Sequence, residues 1–342
     1  MRPVGAGGAF KMYFYCEKCK KKYPINSHSY QCECGGMFKL HRDPGEEYVD
    51  EISLGEVVTP LVEFKSGKLD FLLKLEGTQP TGSFKDRGAR RLINEIKHVG
   101  IEKIALDSAG NAGAAIAAYA AAAGMECEVY VPDDTSQEIL HQIESYGASI
   151  KKVENGRMRA CSVVKENLGD AYYASHVYNP LFVEGVKSMA KEIYKQLGEH
   201  VPDYIFVPVG NGSLLMGLYY GFLELGRLPQ IVGVQSEKCA PLYEAFHGLE
   251  PQPKTASIAR AIRIERPKRG LSILKALKNC HGDMMTVKDE EILEAQKRLG
   301  KAGIYVELSA ACALAAAERF FQAGKPDNYR VVVPLTATGL KR

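Results

Sequence analysis

The chain has 342 residues, of which 46% are hydrophobic and 25% are charged, and 44 basic against 41 acidic side chains leave a net charge of +3. Because neither sign dominates, the composition argues against a protein that binds nucleic acid or a membrane surface. No apolar run approaches the roughly 18 residues that a bilayer-spanning helix needs. The N-terminal residues lack a signal-peptide pattern, so we expect a cytoplasmic protein. The length predicts two domains and a small additional module.

The N-terminal region contains a cluster of four of the nine cysteines, Cys16, Cys19, Cys32 and Cys34. Two closely spaced pairs of thiolates on tight turns are typical of tetrahedral zinc sites. We therefore predict a zinc-ribbon-like module over residues 1–44 with one structural zinc ion. The alternative is a ribbon without metal, whose cysteines are reduced or joined as disulfides. The lysines between the pairs are interpreted as a solvated face rather than a nucleic-acid contact.

After an acidic linker at 42–56, short apolar segments alternate with longer helical patterns. This alternation predicts βαβ units, and hence an α/β fold with two open, mostly parallel sheets flanked by helices. Strands are predicted at 71–75, 103–107, 126–132, 149–153, 203–209, 230–236, 284–288 and 330–335. Helices are predicted at 84–98, 111–123, 136–146, 157–168, 182–197, 213–225, 289–301 and 308–322. Such sheets bind ligands in the loops beyond the carboxyl ends of their strands.

The first candidate loop, at 77–88, contains Lys85 at the predicted start of a helix. The positive end of the helix dipole opposes a charged amine there. Together with partial desolvation, this field lowers the pKa of the amine and makes it a better nucleophile. The alternative interpretation is a solvated lysine in a surface loop.

Three further loops each follow a predicted strand. The loop before the helix at 111 combines glycines with Asn111, which offers both a hydrogen-bond donor and an acceptor. The loop before the helix at 213 has glycines and backbone N–H groups at a helix start, which suit a phosphate, and it has neither a Walker nor a dinucleotide-binding signature. Thr336 ends the last strand with a hydroxyl, which suits an unprotonated pyridine nitrogen. Each loop alone could be a structural turn, but one electrophilic cofactor with an aldehyde, a phosphate, a ring hydroxyl and a ring nitrogen explains all four. The candidate phosphate-binding residues are Gly210, Asn211, Gly212, Ser213 and Leu214.

The strings PTGSFKDRG, SAGNAGAAIAAYAAAAGM, VPVGNGSLL and PLTATGLK occur in this order. From about residue 57 to the C-terminus, the sequence resembles the threonine synthase family. More widely, it resembles the fold type II pyridoxal-phosphate enzymes (tryptophan synthase β-like), which include threonine dehydratase and cysteine synthase. The resemblance implies a large cofactor-binding domain over 45–94 and 186–342, with a smaller α/β domain over 95–185 inserted into it. It also implies a homodimer, and the ribbon-like module is similar to modules that precede archaeal threonine-synthase-like chains.

The resemblance also implies roles for individual residues. Lys85, preceded by Phe84, would be the Schiff-base lysine and proton shuttle, and Asn111 would face the 3-hydroxyl of pyridoxal phosphate. The loop from Gly210 to Leu214 would wrap the cofactor phosphate, and Thr336 would lie beside the ring nitrogen. Ser108 and Ala109 would lie in the loop that receives the substrate carboxylate. The reaction of the family converts O-phosphohomoserine and water into threonine and phosphate.

Two departures from the family pattern concern the substrate. Phe182 stands where members usually carry an arginine that helps to bind the substrate phosphate, and Ala112 stands where a hydroxyl often follows the asparagine. A missing arginine weakens oxyanion recognition considerably. One alternative is therefore a sibling enzyme, such as a serine/threonine dehydratase or a cysteine or cysteate synthase. Another is a non-catalytic binding protein that kept the fold. Besides Ala112, the candidates for substrate binding are His176, Lys187, Arg87 and Arg263.

Overall fold

The computed structural model describes residues 11–154, 156–322 and 329–341. The first ten residues of the predicted ribbon-like module lie outside the described residues. The module itself is a three-stranded antiparallel sheet with the order β2-β1-β3. Its strands are β1 (Met12–Cys16), β2 (Lys22–Tyr23) and β3 (Phe38–Arg42). Phe14, Tyr23 and Phe38 are buried, their rings pack together, and they join the hydrophobic core of the larger part of the chain.

The remaining strands and helices alternate along most of the chain, as the sequence predicts. The strands are β4 (Leu61–Ser66), β5 (Leu69–Leu75), β6 (Lys103–Asp107), β7 (Glu126–Pro132), β8 (Ser149–Val153), β9 (Tyr172–Tyr173), β10 (Tyr204–Pro208), β11 (Gln230–Ser236), β12 (Asp283–Val287) and β13 (Val331–Leu335). The helices are α1 (Lys85–His98), α2 (Asn111–Ala122), α3 (Gln137–Ser145), α4 (Gly156–Glu166), α5 (Pro180–Gln196), α6 (Ser213–Glu224), α7 (Pro241–His247), α8 (Gly270–Asn279), α9 (Asp289–Lys301) and α10 (Leu308–Gln322).

These strands form two sheets. The larger has the order β12-β11-β10-β13-β5-β4, in which all neighbours are parallel except the β4–β5 hairpin at one edge. The smaller has the order β8-β7-β6-β9 and is entirely parallel. Every residue of β10 and β13 is buried, as expected for central parallel strands covered on both faces. The predicted α/β class with two mostly parallel sheets is confirmed, and the domain boundaries stay a prediction.

Helices α5 and α6 pack closely because α6 presents glycines to its neighbour. A Cβ added at Gly217 would lie 2.4 Å from a methyl carbon of Val186, and one added at Gly221 would lie 2.6 Å from the Cβ of Ala190. Real Cβ atoms do not approach so closely, so the two glycines set the spacing of the helices. In the part of the chain that is described, no helix has the length and apolar character needed to cross a bilayer.

A buried ion-pair network fixes the helix that begins at Lys85. Arg87 donates to Glu76 at 2.7 Å and to Glu192 at 2.6 Å, and Lys74 donates to Glu192 at 2.7 Å. These side chains come from β5, the turn after it, α1 and α5, so the network joins the sheet to two helices. Arg87 is thereby engaged in the structure rather than available to a substrate.

Candidate active site

A cavity of about 630 Å³ lies at the carboxyl ends of strands from the larger and the smaller parallel sheet. All four loops selected from the sequence line it, and residues from the start of α4 and from the turn at Arg260–Ile262 complete its wall. The sequence-predicted residues that meet there are Phe84, Lys85, Ser108, Ala109, Asn111, Ala112, His176, Gly210, Asn211, Gly212, Ser213, Leu214 and Thr336. The candidate Arg263 lines the cavity as well, whereas the candidates Lys187 and Arg87 do not.

Lys85 is the first residue of α1, and its ammonium nitrogen lies 4.2 Å from the ring centroid of Phe84 and 5.9 Å from that of Phe182. Burial in these apolar surroundings lowers the pKa of Lys85 to about 7, and the positive charge of Arg157 acts in the same direction. The carboxylate of Glu307 opposes this shift. A large fraction of the amine is therefore neutral, and nucleophilic, near neutral pH.

The loop that opens α6 has the geometry of an anion site. Gly212 has φ of 85°, and a Cβ there would lie 2.3 Å from the Cδ1 of Ile273, so only glycine fits this turn. Ser213 is the first residue of the 12-residue helix. The first backbone N–H groups of a helix have no partner within it and carry partial positive charge, which suits a phosphate. The side-chain oxygen of Asn211 accepts from the backbone N–H of Lys268 at 3.4 Å.

The asparagine at the start of α2 is held at both ends of its amide. Asn111 donates to Glu307 at 2.9 Å, and Lys341 donates to the amide oxygen of Asn111 at 2.9 Å. Thr338 forms a β-bridge with Val306, which brings the C-terminal segment beside α10 and explains how Lys341 reaches this point. An amide in this position has the donor and acceptor capacity to bind a ring hydroxyl.

The end of β13 is tied to the loop that contains Lys85. The backbone N–H of Phe84 donates to the carbonyl of Thr336 at 3.0 Å, and Ser83 forms a β-bridge with Ala337. Thr336 is buried and lines the cavity. The hydroxyl predicted to lie beside a ring nitrogen is therefore fixed relative to the amine.

The loop after β6 is shaped by one glycine and one hydroxyl. The N–H of Gly113 donates to the hydroxyl oxygen of Ser108 at 3.0 Å, and a Cβ at Gly113 would lie 2.3 Å from the carbonyl oxygen of Ser108. Ala109 and Ala112 complete this side of the cavity. Their small side chains leave the backbone accessible to a ligand, which suits recognition of a carboxylate.

His176 lines the cavity and is buried, with its ring 5.9 Å from the ring of Phe182. Burial, together with the positive charges of Lys85, Arg157 and Arg269, keeps the pKa of His176 well below its usual value. The ring is consequently neutral at physiological pH.

Two of the positions considered for the substrate do not line the cavity. Phe182 is fully buried, and a Cβ added at Gly88 would lie 2.4 Å from its ring. Lys187 forms ion pairs with Glu184 at 2.6 Å and with Glu224, the last residue of α6, at 2.7 Å. The structure therefore does not bring Lys187 to the cavity.

Positive side chains outside the four predicted loops also line the cavity. Arg157, at the start of α4, lines the cavity, and so do Arg260 and Arg263 in the segment before α8. Of these, only Arg263 was a candidate from the sequence. Arg157 lies on a helix with no motif, whereas Glu307 directly precedes α10 in the string VELSA, a further part of the resemblance to the threonine synthase family. That string is the signal that would have identified Glu307.

The four cysteines of the N-terminal module form a compact cluster. All four sulfur atoms lie within 4.8 Å of one another, with the closest pairs, Cys16–Cys34 and Cys19–Cys32, at 3.4 Å. A Zn–S bond of about 2.3 Å in a tetrahedron implies S···S separations of roughly 3.8 Å. The donor set and its spacing therefore fit a zinc ion.

Comparison with known proteins agrees with this geometry. Residues 52–337 match the family model described as pyridoxal-phosphate dependent enzyme. The chain is 34% identical to the threonine synthase of Methanocaldococcus jannaschii, over 95% of this chain and 92% of that protein. It is also 34% identical to the threonine synthase of a Bacillus species, over 90% of each chain. Among solved structures, the fungal L-serine ammonia-lyase of Rhizomucor miehei has a TM-score of 0.74 at 22% identity, covering 83% of this chain and 94% of that one. This last likeness shows a common fold.

Proposed function

The chain belongs to the family of pyridoxal-phosphate-dependent enzymes, in the threonine synthase branch, and from this membership we propose that it converts O-phosphohomoserine and water into threonine and phosphate. The observation that carries the proposal is the meeting of Lys85, the Gly210–Leu214 loop and three arginines at one cavity. An amine of lowered pKa beside an anion site suits the cofactor, and the arginines suit a substrate that has its own phosphate.

The residues present fit pyridoxal phosphate. Lys85 would hold the aldehyde carbon, the start of α6 the phosphate, Asn111 the ring hydroxyl and Thr336 the ring nitrogen. When bound, the cofactor supplies an electron sink that makes protons on the substrate carbons labile. The side chains of this chain do the remaining work, which consists of binding, orientation and proton transfer.

Lys85 is the group we assign to proton transfer. Because its pKa lies at about 7, the free amine can accept a proton from a substrate carbon and return it at neutral pH. Its position at the start of α1 is fixed by the ion pairs of Arg87, two residues further along the same helix. Neutral His176 is a hydrogen-bonding group without charge on the same wall.

Substrate phosphate recognition falls to other residues than in the family pattern. Phe182 occupies the position of the usual arginine and is buried, so it offers no charge to the cavity. Arg157, Arg260 and Arg263 line the cavity, together with the acidic residues Asp134, Glu138 and Glu307. The guanidinium groups can form paired hydrogen bonds with a phosphate, and they therefore favour a dianionic substrate group over a neutral hydroxyl.

The direct test is release of inorganic phosphate and appearance of threonine when purified protein receives pyridoxal phosphate and O-phosphohomoserine. Lys85→Ala should abolish both products. Lys187→Ala is the matched control, because this lysine lies outside the cavity, and should retain them. An intact wild-type protein that releases no phosphate would refute the proposal.

A sibling activity is the second candidate, favoured by Phe182 and Ala112. A serine or threonine dehydratase would yield a 2-oxo acid, whereas a cysteine or cysteate synthase would need an added nucleophile. Incubation with serine, threonine and O-phosphohomoserine in parallel separates these possibilities. Formation of a 2-oxo acid from serine or threonine, without phosphate release from O-phosphohomoserine, would assign the chain to the sibling group.

We propose in addition that the four-cysteine cluster binds one structural zinc ion per chain. The sulfur spacing supports this proposal. Elemental analysis of protein purified without chelators should find about one zinc per chain, and Cys16→Ser should lower that content; wild-type protein without zinc would contradict it. Homodimeric assembly and cytoplasmic location remain proposals, which sedimentation velocity and cell fractionation would test.

A further inference from the structure

One aromatic residue of the N-terminal module packs against β9, the segment that follows it, and α4. The ring of Tyr30 meets those of Tyr173 and Tyr178 edge-on, at centroid distances of 5.3 Å and 5.1 Å. The ammonium of Lys165 lies 4.5 Å from the Tyr30 centroid, 4.4 Å from that of Tyr178 and 5.8 Å from that of Tyr173. It also donates to the Tyr178 hydroxyl at 3.2 Å. We call these three tyrosines around Lys165 the tyrosine cage.

The tyrosine cage is connected to the cavity by two short routes. The hydroxyl of Tyr173 donates to the carboxylate of Asp107, the last residue of β6, which directly precedes the cavity loop that begins at Ser108. Lys165 lies on α4, and Arg157 at the other end of that helix lines the cavity. The tyrosine cage therefore contacts two elements that border the cavity. One is β6, which leads into the loop at Ser108 that is proposed to bind a carboxylate, and the other is α4, which carries Arg157.

The opposite side of the module is attached to the other wall of the cavity. The carboxylate of Glu17 accepts from the hydroxyl of Ser272 on α8 at 3.3 Å. The ammonium of Lys39 lies 5.7 Å from the ring centroid of Tyr220 on α6, the helix whose first turn forms the anion site. The module thus bridges the elements that bear the two halves of the site. A bridge of this kind limits their relative movement.

We propose that the N-terminal module positions the substrate-binding wall of the cavity, and that Tyr30 is the positioning residue through which it acts. Tyr30 touches neither Lys85 nor the cavity lining, so its effect passes through Lys165 and Tyr173. The cage stabilises the arrangement in which the Ser108 loop and Arg157 face the cavity, so that binding a substrate need not order them. Lys85 belongs to α1, which the buried ion pairs of Arg87 fix independently.

The predicted signature is a change in KM without a matching change in kcat. This kinetic part rests on the proposed function. In Tyr30→Ala, the KM for O-phosphohomoserine should rise roughly three- to tenfold, the effect expected for loss of a partly buried cation–π contact. The kcat should stay near that of wild type, and Tyr30→Phe, which keeps the ring, should restore the KM. Tyr13→Ala is the matched control: it removes a tyrosine of the same module whose ring contacts, with His41 and Lys22, stay inside the module.

A second measurement needs no substrate and separates this inference from the proposed function. Amide hydrogen exchange of cofactor-loaded protein should accelerate in Tyr30→Ala over residues 107–112 and 156–166, and not in α1. Tyr13→Ala should leave the exchange of these segments unchanged at equal metal content. Wild-type protein that releases no phosphate would remove the proposed function but leave this test intact.

Lys165→Met provides a second route if Tyr30→Ala does not fold. It removes the charge from the tyrosine cage and should accelerate exchange in the same segments. Tyr30→Ala should accelerate exchange less in the Lys165→Met background than in wild-type protein, because both substitutions break the same contact. Full additivity, or equal behaviour of Tyr30→Ala and Tyr13→Ala in exchange, would overturn the inference.

Discussion

The lowered pKa of Lys85 predicts how cofactor attachment depends on pH. With a pKa of about 7, half of the amine is neutral at pH 7. An ordinary lysine, with a pKa of about 10.4, would be neutral in only about one molecule in 2,500 at that pH. Attachment of pyridoxal phosphate needs the neutral amine. Its rate should therefore rise with pH, reach half of its plateau near pH 7 and change little above pH 8.

Arg157→Met tests the cause of this shift. Removing the positive charge of Arg157 should raise the pKa of Lys85, because burial alone then lowers this pKa, without the repulsion between the two cations. A rise of one unit would reduce the neutral fraction at pH 7 from about one half to about one tenth. The matched control is Arg159→Met, on the same helix, because Arg159 pairs with Glu166 at the exposed surface.

The assay is stopped-flow absorbance of the cofactor band on mixing cofactor-free protein with pyridoxal phosphate between pH 5.5 and 9.5. We expect the midpoint to move upward in Arg157→Met and to stay in place in Arg159→Met. A wild-type rate that keeps rising beyond pH 9 would refute the electrostatic reasoning. Equal midpoints in wild type and Arg157→Met would refute the assigned cause.

Three further predictions concern stability and are measured by urea unfolding of cofactor-free protein. Glu192→Gln leaves Arg87 and Lys74 without their shared carboxylate and should lower the free energy of unfolding by about 3 kcal/mol. The loss is smaller than for a buried charge without any partner, because Glu76 still pairs with Arg87. An unchanged unfolding midpoint would show that the network contributes little to stability. Gly185→Ala places a Cβ 2.0 Å from the carbonyl oxygen of Arg87 and should lower the free energy of unfolding by about 1–3 kcal/mol. An unchanged free energy would contradict the packing of α1 on α5. Gly300→Ala lies inside α9, with open space at the Cβ position, and should instead raise the free energy of unfolding by about 0.5–1 kcal/mol. A lower free energy of unfolding would contradict the helical conformation of Gly300.

Most of the fold could be predicted from hydrophobic periodicity. The helix predicted at 84–98 is observed as Lys85–His98, and the strand predicted at 126–132 is observed with the same bounds. Most of the elements that escaped prediction are short or lie at edges. β4 is an edge strand with few buried residues, β9 has two residues and α7 has seven, so none of these three produces a periodic signal long enough to identify. The ten-residue helix α8 also escaped prediction.

The candidate site was predictable where glycine-containing loops follow strands, since parallel sheets bring such loops to one edge. Residues whose role depends on the direction of a long side chain were not. Arg157 reaches the cavity from a helix without a motif, and Lys341 reaches Asn111 only because the C-terminal segment folds back beside α10. Lys187 lies on the right helix, but its side chain points toward α6 and its acidic partners.

The central claim is that Lys85 is the residue of this chain that holds pyridoxal phosphate. The most direct measurement is borohydride reduction of the cofactor-loaded protein, followed by protease digestion and mass spectrometry. We expect one modified peptide, which contains Lys85 and has the added mass of the reduced cofactor, and we expect this peptide to be absent in Lys85→Ala. A label on another lysine, or no stable label after loading, would contradict the assignment of this cavity as the cofactor site.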